Sequence, residues 1–247
     1  MSVKVKDIAK KLNLSSSTVS LVLNNRPSRI SAKTRLKILS MAGKLSYNKD
    51  VEIDIEDKIN IKTIGILTPS LDKRYNLELI MNIVNELNDD MYTSFIIETG
   101  NNTDKVLNSL DNLMAKGVDG IIFVSVENDI DVLRTYFEIF SIPVVVFNKS
   151  FTDFNCNFIH IDYDNAILDI NKRYKGYKII QDSEQALKEN EKNIICLEDT
   201  DITKMLGIKS VNTNKQYISK KIVELLIKNI DDKNMKIKNI VIPANID

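Results

Sequence analysis

The sequence predicts an α/β protein that carries an all-α helix-turn-helix headpiece at its N-terminus, and three observations support this. Apolar residues recur at helical spacing in three short stretches before residue 47, separated by turn-forming and capping residues. From residue 62 onward, short β-branched runs alternate with amphipathic stretches at intervals that suit a parallel sheet. The charge divides between the two parts. Residues 1–49 hold eleven Lys or Arg and one acid, Asp7, a net of +10, whereas residues 50–247 hold 23 basic and 33 acidic residues, a net of −10. A formal net charge of zero conceals a head suited to a polyanion and a body that a polyanion repels.

In the head, Val5, Ile8, Ala9 and Leu12 share one helical face while Lys6, Lys10 and Lys11 point away. Asn13 tolerates the left-handed conformation that a sharp turn requires, and Leu14 can tuck beneath it. Ser15 is a fitting N-cap for a second helix whose Val19, Val22 and Leu23 face the first, leaving Ser16, Ser17, Ser20 and Leu21 outward. After the Asn24-Asn25-Arg26-Pro27 loop, Ser31 can cap a third helix in which Ile38, Ala42 and Leu45 repeat helically. Arg26, Arg29, Lys33, Arg35 and Lys37 cluster around that loop and helix, where they would hold phosphates. Lys4 stands at the N-cap of the first helix, where a cation is unfavourable by about 0.3–1 kcal/mol, so a frayed first turn is expected.

These residues carry a resemblance. Asp7-Ile8-Ala9, Ser15-x-x-Thr18-Val19-Ser20-x-Val22-x-Asn24, Ser31-x-Lys33-Thr34-Arg35 and Leu45-x-Tyr47 look like the headpiece of the LacI/GalR repressor family. The resemblance implies a transcriptional regulator, most simply a repressor, that binds a pseudo-palindromic double-stranded DNA operator as a homodimer. It places the second helix in the major groove, with Ser16, Ser17 and Leu21 at base-reading positions and Thr18, Ser20 and Asn24 on phosphates. Arg29, Ser31, Lys33 and Thr34 complete the implied DNA-contacting set. Leu21 replaces a common arginine or histidine, so it offers apolar contact, for instance to a thymine methyl, in place of a bidentate bond to guanine.

Residues 48–60 have the length of the family's hinge but different chemistry. Asp50, Glu52, Asp54, Glu56 and Asp57 would meet the negative potential of the minor groove, and Glu56 sits where relatives carry an apolar wedge. Minor-groove kinking by this linker is not expected.

The body is expected to hold strands at 63–67, 93–97, 121–124, 144–147 and 158–161, with helices at 77–87, 104–116 and 132–140. This pattern is similar to the first lobe of the family's periplasmic-binding-protein-like effector module, which implies a sugar- or nucleobase-like effector held between two lobes. The first lobe is expected to comprise about 61–161 plus 207–230, within an effector and dimerisation domain spanning 61–247. The second lobe is expected to be reduced. Arg173-x-x-Gly176-Tyr177 follows Asp162-Tyr163-Asp164-Asn165 without the usual strand and helix between, and elements that normally precede Ile194 to Asp201 are missing. By resemblance Ser70, Asn148, Arg173 and Glu198 line the ligand cleft, with ligand response weakened or lost. The residues alone also allow Arg173 and Glu198 to be an ordinary surface pair.

Other chemistries lack material. Cys156, Cys196 and the single His160 give no metal-ligand spacing and no histidine-based catalysis, and no Gly-rich phosphate loop follows the first strand, where Pro69 and Ser70 sit instead. No metal, no cofactor and no enzyme activity are expected. With no signal-like segment and no run of 18 apolar residues, a cytoplasmic protein without membrane contact is expected. The alternative reading is a small-molecule or protein-binding module whose DNA-binding headpiece is a relic, in keeping with the acidic linker and the short second lobe.

Overall fold

Three short helices build the headpiece: α1 (Val5–Leu12), α2 (Ser16–Leu23) and α3 (Ala32–Lys44). The computed structural model describes residues 4–24, 30–45, 62–125, 133, 142–148, 156–189, 191, 193–232 and 235–246. Ile8, Ala9, Val19, Val22, Ile38, Leu39 and Ala42 are buried together, with Val5, Leu12, Leu14 and Leu45 packed around them. None of the three helices is long enough to hold in water by itself, so this shared cluster makes them stable.

In the body the chain runs β1 (Thr63–Thr68), α4 (Arg74–Asp89), β2 (Thr93–Glu98), α5 (Thr103–Lys116), β3 (Gly120–Val124), β4 (Val144–Asn148) and β5 (Asn157–Asp162). It continues through α6 (Asp164–Arg173), β6 (Lys178–Ile180), α7 (Ser183–Ala186), β7 (Ile194–Cys196), α8 (Asp201–Met205) and β8 (Lys209–Asn212). It ends with α9 (Lys215–Asp231), β9 (Asn239–Pro243) and β10 (Asn245–Ile246). The expected strands and the first two expected body helices are present, one to three residues longer at their ends. The helix expected at 132–140 lies outside the described residues except for Leu133, which is buried.

The first lobe is a parallel sheet in the order β2-β1-β3-β4-β5-β9. Its central strands are buried on both faces, as continuous Val/Ile runs require. Alternate residues sort cleanly. Ile122, Val124, Val145, Phe147, Ile159 and Ile161 join Tyr75, Leu79, Ile80 and Ile83 of α4 and Ile218, Ile222 and Leu226 of α9. Ile121, Phe123, Val144, Val146 and Phe158 instead meet Val106, Leu107, Leu110 and Leu113 of α5. Helices therefore cover both faces, and β2 stays as an edge with Phe95 and Ile96 partly exposed.

The second lobe has its own sheet in the order β10-β8-β7-β6, parallel except for the β8/β10 pair. Residues 209–212 belong here and not to the first lobe, where the family resemblance puts them; the return to the first lobe begins with α9, which packs on α4. The reason is the pairing of Ile195 and Cys196 with Lys209 and Ser210, which holds β8 beside β7. Three single crossings join the lobes, after Asp162, after Asn212 and at Ala244.

Gly65 lets α5 approach the sheet closely: a Cβ there would lie 2.5 Å from Leu113 Cδ1, a buried side chain. Gly65→Ala is expected to destabilise the body by about 1–3 kcal/mol. The check is a lower urea midpoint at unchanged slope, and an unchanged midpoint would show that α5 shifts freely.

Candidate nucleic-acid interface and ligand cleft

The turn between α1 and α2 is set by Asn13, which adopts φ 55° and ψ 44°, while Leu14 donates its N–H to the Ala9 carbonyl at 3.0 Å. Ser15 caps α2, its Oγ accepting from the Thr18 N–H at 3.1 Å. The same oxygen lies 2.8 Å from Ser17 Oγ and 2.7 Å from Thr18 Oγ1. Asn24 Nδ2 donates to Ser20 Oγ at 3.0 Å, and Ser31 Oγ accepts from the Thr34 N–H at 3.3 Å. Ser16, Ser17 and Asn24 are exposed, and Thr18, Ser20 and Leu21 are half-buried. Lys4, Lys6, Lys10, Lys11 and Lys37 are exposed around this core. At the start of α1 the Lys4 N–H donates to Asp7 Oδ2 at 2.8 Å, so a carboxylate in the first turn opposes the unfavourable cation at the cap.

Arg29 and the Lys33 side chain lie outside the described residues. Arg35 departs from expectation. It is buried against the body, its Nη1 2.5 Å from Asp111 Oδ2, and so is not placed to hold a phosphate.

The C-terminal edge of the first sheet is lined by buried polar groups that sequence reasoning missed. Ser125, at φ 59° after β3, donates its hydroxyl to Asn76 Oδ1 at 2.8 Å, and Asn76 Nδ2 reaches the Ser70 carbonyl at 3.5 Å. Thr99 Oγ1 donates to the Thr68 carbonyl at 3.2 Å. The available signal was Asn76 itself, a polar residue on the apolar face of α4 between Tyr75 and Leu79. Ser70 Oγ accepts from the Asp72 N–H at 3.1 Å, and Asn148 sits half-buried at the end of β4 on the same edge. In open parallel sheets, ligands bind at this edge.

The facing residues of the second lobe have local partners. Glu198 is fully buried, with Oε2 accepting from the Ser183 N–H at 3.1 Å and lying 3.5 Å from Ser183 Oγ at the start of α7. Arg173 is exposed, donates to the Ile246 carbonyl at 2.9 Å and stacks over Tyr174. The pair of expected ligand holders therefore serves the frame of the small lobe.

Ion pairs join the two lips of the cleft. Lys73 Nζ meets Asp182 Oδ2 at 2.9 Å, and the Arg74 N–H donates to Glu184 Oε1 at 2.7 Å. The Arg74 guanidinium embraces both carboxylate oxygens of Asp201, Nε to Oδ1 at 2.7 Å. Glu78 accepts from the Asp201 N–H at 3.1 Å and pairs with Lys215 at 3.2 Å. Deeper in, the buried Tyr75 hydroxyl bonds Thr213 Oγ1 at 2.8 Å, and burial raises the Tyr75 pKa. The hydrogen bond from Arg74 holds the Asp201 carboxyl below its ordinary range, and the bond to Asp182 holds the Lys73 ammonium above its own. Among the described residues no group of three or more His, Cys, Asp or Glu could hold a metal ion.

Residues 4–50 match the family described as bacterial regulatory proteins, lacI family, and residues 61–202 match periplasmic binding proteins and sugar binding domain of LacI family. The chain belongs to the LacI family. Among relatives, catabolite control protein A of Priestia megaterium is 28% identical over 172 residues, 68% of this chain and 50% of that protein. The HTH-type transcriptional repressor PurR of Pasteurella multocida is 32% identical over 143 residues, 58% of this chain and 42% of that protein. The chain thus spans about half the length of these curated relatives. A Lac repressor dimer bound to operator and the anti-inducer ONPF shares the fold at a TM-score of 0.59 and 14% identity, covering 100% of this chain and 98% of that one. The transcriptional regulator CelR in complex with cellobiose gives 0.61 at 13% identity, covering 99% and 98%. This LacI-family chain has the family's headpiece and both lobes, the second as a four-stranded sheet. Among its described residues no helix is long and apolar enough to cross a membrane.

Because the pKa of Asp201 is lowered in the folded state, its hold on Arg74 is complete above the ordinary value of 3.8 and is lost as pH falls through the lowered value. Small-angle scattering should therefore show a constant radius of gyration from neutral pH down to that range and an opening only below it. Asp201→Asn should widen the lips at neutral pH. An acid expansion identical in both proteins would remove Asp201 from this role.

Proposed function

We propose that the protein is a sequence-specific DNA-binding transcriptional regulator, a repressor in the simplest case, that binds a pseudo-palindromic operator as a homodimer in the cytoplasm. The observation that carries this reading is the headpiece, a capped helix-turn-helix presenting Ser16 and Ser17 on an exposed helix face among exposed lysines. Ser16, Ser17 and Leu21 read bases, while Thr18, Ser20, Asn24, Arg29, Ser31, Lys33 and Thr34 hold the backbone. With a leucine and two serines for base edges, the preferred half-site favours apolar and single hydrogen-bond contacts over bidentate recognition of guanine. The function is regulatory and not enzymatic.

The response to a small ligand is weakened or lost. Ser70 and Asn148 remain on the ligand edge for a sugar- or nucleobase-like effector, but Arg173 and Glu198 are committed within the second lobe, and the lips already meet through Lys73, Arg74 and Asp201.

Selection from a random operator library tests the DNA reading. A two-fold symmetric motif should enrich, and affinity should fall steeply with salt. Ser17→Ala should change base preference, whereas Lys33→Ala should weaken all sites alike and reduce the salt slope by about 0.9 for each phosphate it leaves unneutralised. If no motif enriches while a sugar or nucleobase raises the melting temperature, the headpiece is a relic on a ligand-binding module.

A further inference from the structure

Headpiece and first lobe touch directly. Helix α3 lies against α5, and at the centre of the contact Arg35 Nη1 sits 2.5 Å from Asp111 Oδ2, with 4% and 8% of the two side chains exposed. Next to this pair, Leu36 packs onto the apolar cluster that covers one face of the first sheet, which includes Leu107, Leu110 and Phe123. A charge is seldom buried without its counter-charge, and each partner here comes from a different part of the chain. Residue 111 is an acid on the buried side of α5 between Leu110 and Leu113. Residue 35 is a cation on a helix that otherwise turns Ile38, Leu39 and Ala42 into the headpiece core.

We propose that Arg35, Asp111 and Leu36 form a lock that docks the headpiece on the first lobe, so that its orientation is set by this contact and the acidic residues 48–60 act as a tether. The docked state keeps the Arg35 charge away from nucleic acid while leaving Ser16, Ser17 and Asn24 exposed. It also gives the first lobe a route to the recognition helix that bypasses the linker: a shift of α5 moves α3, and α3 shares its core with α2. A linker with five acids is poorly suited to fixing a headpiece by folding in a DNA groove, and a protein-protein contact replaces that constraint.

Nitrogen-15 relaxation of the full chain without DNA tests the lock. In the unaltered protein, headpiece amides such as those of Ile8 and Val22 should report the same rotational correlation time as amides of the first sheet. Removing one member of a buried pair should shift the docking equilibrium by roughly a hundredfold or more. Asp111→Asn should therefore let headpiece amides tumble faster than the body while keeping their chemical shifts. Arg35→Gln should do the same from the other side, leaving the body untouched if Asp111→Asn disturbs its fold. Asp104→Asn, an exposed acid on the same helix, should change nothing. Independent tumbling in the unaltered protein, joint tumbling in both lock variants, or equal release by Asp104→Asn would each overturn the proposal. The measurement contains no DNA, so a chain that selects no operator would leave it standing.

Discussion

The structure of the body depends on one apolar cluster that does not stop at the lobe boundary. It starts under the first sheet with α4 and α9 and runs on through Ala166, Ile170, Ile195, Val211, Ala244 and Ile246 of the second lobe. Among the described residues, the apolar cluster on the outer face of the small sheet consists of Ile180, Ala186, Ile194 and Cys196, with Ile208 against them. So thin a layer could not stabilise a free domain, because a small element buries too little apolar surface to offset its ordering entropy. The second lobe is therefore folded as an extension of the first.

That dependence changes what the polar groups between the lobes do. In a module that hinges freely, the groups at the C-terminal edge of the sheet and on the facing lobe are kept for a ligand. Here Glu198 accepts from the first N–H of α7 and Arg173 donates to the Ile246 carbonyl of β10, so these charged groups of the reduced lobe maintain its own backbone. Arg74 and Glu78, both meeting Asp201, then supply across the lips the complementarity that a bound molecule would otherwise bring. Such pairs are individually weak where solvent reaches them, and together they fix a relative orientation more than they add stability.

Local chemistry explains what the sequence reveals and what it hides. Asn13, Ser15 and Ser31 are readable because turn and cap geometry is decided within a few residues, and β1, β3, β4 and β5 are readable because strands buried on both faces are continuous apolar runs. Arg35 looks like a phosphate contact because its burial partner lies 76 positions away on a helix whose placement no local rule gives. Lys209–Asn212 looks like part of the returning segment because sequence spacing cannot tell which sheet a short strand joins; its pairing with Ile195 and Cys196 decides that. Asn76 reads as a flaw in an apolar stripe until Ser125 and the Ser70 carbonyl give it partners. The ligand positions are legible only as resemblance, since the roles of Arg173 and Glu198 follow from neighbours in the rebuilt lobe.

The order of the three crossings has a kinetic consequence. Strand β9 pairs with β5, yet nearly eighty residues separate Asp162 from Asn239, and all of the second lobe except β10 lies between them. During synthesis β5 therefore waits with one edge unpaired while β6, β7 and β8 of the small lobe emerge, and α4 waits for α9. An open edge beside Val/Ile-rich strands is an invitation to neighbouring chains. A nascent chain of this kind is most exposed to misassociation before α9 and β9 have left the ribosome to cover α4 and the open edge of β5.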